Sequence, residues 1–299
     1  MMFKFGLIGY EYDDCLLLLK RRLEDRGHKA RILNPTRIPR VVQTAFSPEK
    51  MIYDGFDVRE GDCYFLSEMG LREPFFHVSY DRELWTKLRG RYLKFAADET
   101  ANLNFTIAMI NILTFFRPIV NPPHIYASRL HYPVHLHRLA GRSFNVPSFM
   151  TATTRPDGYD EAVPLNLDEY KNWEVLSFPK KGQADLRLWC KRPGGVKYKL
   201  IVMGKRLMDE VLLFPETDKL SQKKPLAGVP EEVVTTALKA AGELDIKFGE
   251  VTCVYADHTT WLMGIDPSPD INNLENVHNL GVSSALADYL IDIAANTGR

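Results

Sequence analysis

Apolar positions in the first part of the chain fall into short, separated runs. Phe3 to Gly9 alternates and then runs apolar, which suits a buried strand. Asp13-Asp14 then opens a helix carrying Leu16 to Leu19 and Leu23, and Arg26-Gly27 closes it with Gly27 as a left-handed cap. His28 to Leu33 reads as a second strand, stopped by Asn34-Pro35, and Asp62 to Ser67 as a third. A strand–helix–strand order of this kind predicts a parallel sheet. Asp81 to Asn104 is charged and helical in character. Asn104 to Arg117 is a strongly apolar helix expected between domains, and Pro118, Pro122 and Pro123 break the chain after it.

Toward the carboxy terminus the period changes again. Pro230 to Leu244 is a helix, with Pro230 in the first turn and Glu231 and Glu232 complementing its dipole. Val233, Val234, Ala237, Leu238, Ala241 and Leu244 form its apolar stripe. Two strands follow, Glu250 to Tyr255 and Thr260 to Asp266, joined by the turn Ala256-Asp257-His258-Thr259. A last helix starts near Ser283 and carries Leu286, Leu290 and Ile293.

With 299 residues, 45% of them hydrophobic, the chain can bury a sizeable core and is long enough for two domains. The breaks predict a domain over residues 1–80, a helical connection over 81–120 and a second domain over 121–299. Charge balances at 38 basic against 38 acidic residues, so net charge gives no reason to expect a nucleic-acid partner or an acidic membrane. The apolar run Phe105 to Phe116 is about twelve residues, short of the roughly twenty of a membrane span. No secretory pattern opens the chain, and Cys15, Cys63, Cys190 and Cys253 lack metal-ligand spacing. The expectation is a cytoplasmic protein with reduced thiols.

Two constellations add little chemistry. Gly6-Leu7-Ile8-Gly9-Tyr10-Glu11 lacks the third glycine of a dinucleotide fingerprint, and the acids Asp13 and Asp14 would repel a phosphate. His131 and His135 are four apart, as helical zinc ligands can be, but Pro133 lies between them and no glutamate adjoins either.

Several strings in chain order carry a family resemblance. They are Leu244-Asp245-Ile246-Lys247-Phe248-Gly249-Glu250-Val251, Trp261-Leu262-Met263-Gly264-Ile265-Asp266-Pro267-Ser268-Pro269 and Leu274-Glu275. Upstream are Lys197-Tyr198-Lys199-Leu200-Ile201-Val202-Met203-Gly204-Lys205, Leu139-Ala140 followed by Val146-Pro147, Asn121-Pro122 and Asp25-Arg26-Gly27-His28. Together they resemble the RimK-type ATP-grasp superfamily of ATP-dependent carboxylate–amine ligases. The resemblance implies an amino-terminal parallel α/β domain followed by a reduced ATP-grasp domain with a mostly antiparallel sheet. It also implies ATP and magnesium as cofactors of an active member.

Such a ligase activates a carboxylate as an acyl phosphate that an amine then attacks, so magnesium and lysine must steady dense phosphate charge. Measured against the family pattern, this chain departs at several places. Gly264 stands for the metal-binding glutamate, Asp266 for the asparagine, and Thr252 for the aspartate of the preceding strand. Glu250 shares the face of Thr252, so the resemblance implies metal ligands Asp266 and Glu250. Lys199 takes the place of an arginine that contacts phosphate or substrate, and Lys197 that of an acid. His131-Tyr132 falls where a lysine is usual, with Arg129 the nearest cation. The glycine-rich phosphate loop is reduced to Ser177-Phe178-Pro179-Lys180-Lys181-Gly182-Gln183-Ala184-Asp185, leaving Lys180 or Lys181 as the remnant lysine. Two readings follow. One is a non-catalytic pseudo-ligase that keeps the cleft and binds a peptide, a small-molecule carboxylate or a partner protein. The other is an active ligase with a rebuilt site of Arg129, Lys180 or Lys181, Lys199, Glu250 and Asp266. A homo-oligomer is the expected assembly.

Overall fold

The computed structural model describes residues 1–34, 44–46, 50–67, 104–105, 107–126, 131–152, 156–164, 187–191, 193–215 and 221–297. The chain divides into two compact units, Met1–Tyr126 with Ser283–Arg299, and Ala127–Val282.

In the first unit, β1 (Lys4–Ile8), the Asp14–Asp25 helix and β2 (Lys29–Leu33) form the strand–helix–strand start that the pattern predicts. A hairpin sheet of β3 (Thr44–Phe46), β4 (Met51–Tyr53) and β5 (Phe56–Asp57) precedes β6 (Cys63–Leu66), and β7 (Ile119–Val120) completes the unit's strands. The main sheet runs β2-β1-β6-β7, with all pairs parallel. Phe5 and Leu7 of β1 and Leu16, Leu19 and Leu23 of the helix are each at most 2% exposed, and Tyr64, paired with Gly6, is buried on the other face of the sheet. Asp13 caps the helix by accepting the Cys15 N–H at 2.9 Å, and Gly27 ends it at φ 79°. Gly6 and Gly61 flank the Tyr64 ring so closely that a Cβ would sit 2.1 and 2.2 Å from its atoms, which is why both positions lack a side chain.

Residues 107–113 are helical and bury Met109, Ile110 and Leu113. The expected helix stops short of Arg117, because residues 114–116 form a turn that exposes Phe115 and Phe116. The segment 81–103 lies outside the described residues.

The second unit holds β8 (Phe149–Ala152), β9 (Asp160–Pro164), β10 (Arg187–Cys190), β11 (Val196–Met203), β12 (Arg206–Leu207), β13 (Glu210–Phe214), β14 (Gln222–Pro225), β15 (Phe248–Ala256) and β16 (Thr259–Asp266). The larger sheet runs β14-β13-β11-β15-β16, with β12 on β11, and its pairs are antiparallel. A small antiparallel sheet runs β8-β10-β9. The fold is therefore α/β and α+β, a parallel first unit followed by a mostly antiparallel one.

Pro193-Gly194-Gly195 suits a hairpin turn in the sequence, but β10 and β11 belong to different sheets. The glycines instead make a crossover, where a Cβ on Gly195 would lie 2.4 Å from the Tyr255 carbonyl oxygen. The Glu231–Glu243 helix lies on β11, β15 and β16, burying Val233, Ala237, Ala240 and Ala241. The His131–Ala140 helix also packs on β16. It holds Pro133 in its first turn, where no intrahelical N–H is lost.

The final helix, Val282–Thr297, groups with the first unit from Ser283 onward, whereas the sequence breaks carry the second domain to residue 299. Long-range polar contacts tie this helix to the Asp14–Asp25 helix of the same unit. Arg26 makes a two-pronged contact with Asp288, at 2.7 and 3.1 Å, and donates to the Ser284 hydroxyl at 2.7 Å. Arg22 reaches the Ser283 hydroxyl at 3.3 Å.

Candidate functional site

The antiparallel register of β11, β15 and β16 decides which side chains share a face. Lys199 lies opposite Thr252, Glu250 opposite Asp266, and Thr252 opposite Gly264. Directly opposed residues point the same way, and alternate residues along a strand do too. One face of the sheet therefore carries Lys199, Glu250, Thr252, Gly264 and Asp266 together. Gly249 permits the close approach at the strand ends, since a Cβ there would lie 2.7 Å from the Asp266 carbonyl oxygen.

These groups are not equivalent. Lys199 Nζ donates to Glu250 Oε1 at 2.6 Å, and the Glu250 side chain is only 12% exposed. A carboxylate that is nearly out of water needs a counter-charge, and Lys199 supplies it. Asp266 is half-buried, and its Oδ1 accepts the Ser268 N–H at 2.8 Å, shaping the turn through Pro267. Gly264 offers no ligand atom. Lys197, next on the same face of β11, sits with its ammonium 4.2 Å from the centre of the Phe214 ring. Arg129, Lys180, Lys181 and the whole segment Ser177 to Asp185 lie outside the described residues.

A bulge shapes this arrangement. Cys253 pairs with Leu262 and Thr252 with Gly264, so Met263 is the extra residue on β16. Beyond it, Gly264 and Asp266 join the charged face, while Thr260 and Leu262 turn to the face under the Glu231–Glu243 helix. On that covered face Cys253 is fully buried, and burial pushes its thiol up to about 12.

The family resemblance makes Lys199 a phosphate or substrate contact and Glu250 a metal ligand, and it does not reveal that the two neutralise each other. Their separation along the chain, fifty-one positions, hides the pairing until the strand register is known. Nor does it single out Thr260 and Glu232, which meet where the Thr260 N–H donates to Glu232 Oε1 at 3.1 Å. The histidines part within their helix, His135 buried and His137 exposed. Among the described residues, no group of three or more His, Cys, Asp or Glu side chains could hold a metal ion. No described helix is long and apolar enough to cross a membrane.

No protein-family model and no curated protein matches the sequence. Solved structures do match the fold over nearly the whole chain. The ATP-grasp ligase PsnB, complexed with a minimal precursor, Mg and ADP, superposes with a TM-score of 0.74 at 14% identity, covering 97% of each chain. The macrocyclase MdnC from Microcystis aeruginosa, bound with precursor peptide MdnA, gives 0.67 at 14% identity over 98% of this chain and 100% of the other. A RimK domain ATP-grasp protein from Sphaerobacter thermophilus gives 0.51 at 15% identity over 96% and 99%. The chain has the ATP-grasp fold.

The fold brings magnesium into question, because it favours several oxygen ligands in a near-octahedral shell. As folded, Glu250 is committed to Lys199, Gly264 contributes nothing, and Asp266 holds its own turn. This donor set does not fit a magnesium ion shared between two acids.

Proposed function

We propose that this protein is a peptide-binding ATP-grasp pseudo-ligase, which keeps the ligase fold and uses it to hold a peptide without acyl-phosphate chemistry. The observation that carries the reading is the 2.6 Å Lys199–Glu250 ion pair beside Gly264. It gives one acid of the candidate metal pair an internal counter-ion, at the place where a ligase must gather cation and phosphate. The sequence departures at Tyr132 and in the shortened loop at 177–185 point the same way. The peptide part rests on likeness, since PsnB and MdnC, matched over 97% and 100% of their chains, were solved with precursor peptides.

A specific observation also favours a second reading. Glu250 and Asp266 are directly opposed across β15 and β16, so releasing Glu250 from Lys199 would leave two acids facing the same space. That would be an active carboxylate–amine ligase with a rebuilt ATP site.

Calorimetric titration with a non-hydrolysable ATP analogue and magnesium separates the two. The pseudo-ligase reading expects no saturable binding at millimolar nucleotide. It also expects peptides selected from a displayed library to bind equally well with and without the analogue. Micromolar nucleotide binding that disappears in Asp266→Ala would overturn it and establish the ligase site.

A further inference from the structure

The helix-covered face of the second unit holds a cavity of about 650 Å³, on the opposite side of β16 from Asp266. Its wall is the polar stripe of the Glu231–Glu243 helix together with the Arg142–Asn145 segment. Glu232, Thr235, Thr236 and Lys239 recur at helical spacing, so they line one side of the cavity from end to end. The two ends differ in charge: Glu231 and Glu232 stand at the first turn, Lys239 two turns on, with Arg142 across from the helix.

Thr260 marks this cavity as more than a surface dent. It lines the cavity, is 1% exposed, and its hydroxyl has no hydrogen-bond partner. Buried hydroxyls are nearly always satisfied, so Thr260 leaves an unused hydrogen-bonding group at the inner wall of the cavity. Its own backbone N–H already holds Glu232 in place at 3.1 Å. Arg142 is only loosely engaged, with Nε 3.8 Å from Glu243 and both side chains well exposed. Lys239 is exposed at the cavity rim. Phe144 adds an apolar wall.

We propose that this cavity binds a short zwitterion of amino-acid or dipeptide size. Its ammonium sits at Glu231 and Glu232, its carboxylate at Lys239 and Arg142, and an apolar side chain lies against Phe144. Acid and base at opposite ends suit a ligand with both charges, and would repel one end of a dicarboxylate or a diamine. The cavity volume is in the range of small-molecule sites. The site does not depend on the nucleotide face, so it stands or falls separately from the pseudo-ligase reading.

The test is calorimetry on the full chain with phenylalanine and glycyl-phenylalanine, beside N-acetyl-phenylalanine and phenylalanine amide. Saturable binding of either zwitterion is expected. Both single-charge derivatives should bind at least about tenfold more weakly. Lys239→Ala and Thr260→Val should each weaken zwitterion binding by about tenfold, through a lost charge and a lost hydrogen bond. Asp266→Ala should bind the zwitterion like the unmodified protein. If Thr260→Val fails to fold, the exposed Lys239→Ala decides alone. No saturable heat for either zwitterion up to about 10 mM would overturn the site. So would equal binding of the single-charge derivatives, or unchanged affinity in Lys239→Ala.

Discussion

The two faces of the β11–β15–β16 sheet are made from the same strands yet solve opposite problems. The face under the Glu231–Glu243 helix buries Val251, Cys253, Leu262 and Ile265, each at most 1% exposed, against a helix stripe of valine and alanine. The other face places Lys199, Glu250 and Asp266 side by side and pairs Lys199 with Glu250. Alternation alone would line up Thr260, Leu262, Gly264 and Asp266, but the bulge at Met263 sends the first two to the covered face. One inserted residue thus separates the apolar core from the candidate nucleotide face. It also turns Thr260 toward the helix-covered face, at the wall of the cavity beside the helix.

Substitutions can break this contrast. The largest effect is expected on the covered face, where Leu262→Ala should lower stability by about 2–5 kcal/mol, read from the denaturant midpoint. On the charged face, Lys199→Ala leaves a nearly buried Glu250 without its counter-charge and should cost about 1–3 kcal/mol. Adding Glu250→Gln should recover much of that loss, and a purely additive double variant would show that the pair does not interact.

The smallest effect is alkaline. Burial holds the Cys253 thiol protonated up to about 12, against 9.0 for the unfolded chain. Above pH 9 the unfolded chain loses that proton and the folded chain keeps it. The stability is therefore full below pH 9 and declines as pH rises toward 12, by about 1 kcal/mol at pH 10. Cys253→Val should give a shallower alkaline decline than the unmodified chain. An identical slope would mean that Cys253 is not shielded as the covered face requires.

Much of the architecture was legible in the sequence, because its signals are local. Asp13 and Gly27 bound the first helix, Leu16, Leu19 and Leu23 mark its buried side, and Pro230 opens the helix that covers the sheet. Each signal works over a turn or two of backbone, so neighbouring residues suffice to read it. The hairpin sheet at Thr44–Phe46, Met51–Tyr53 and Phe56–Asp57 was not legible, since strands of two or three residues carry too short an alternation to register.

Tertiary structure decided the rest, through groups far apart in the chain. The sequence by itself determined that Lys199, Glu250 and Asp266 lie on strands and that Gly264 breaks the acid pattern of the ATP-grasp family. Only the register of three antiparallel strands joined Lys199 to Glu250 and set Glu250 opposite Asp266. Only the packing of the Glu231–Glu243 helix set Glu232 against the Thr260 backbone and formed the cavity beside it. The physical reason is that backbone propensity is summed over neighbouring residues. Charge neutralisation and cavity shape arise between segments that meet only after the sheet has closed its register.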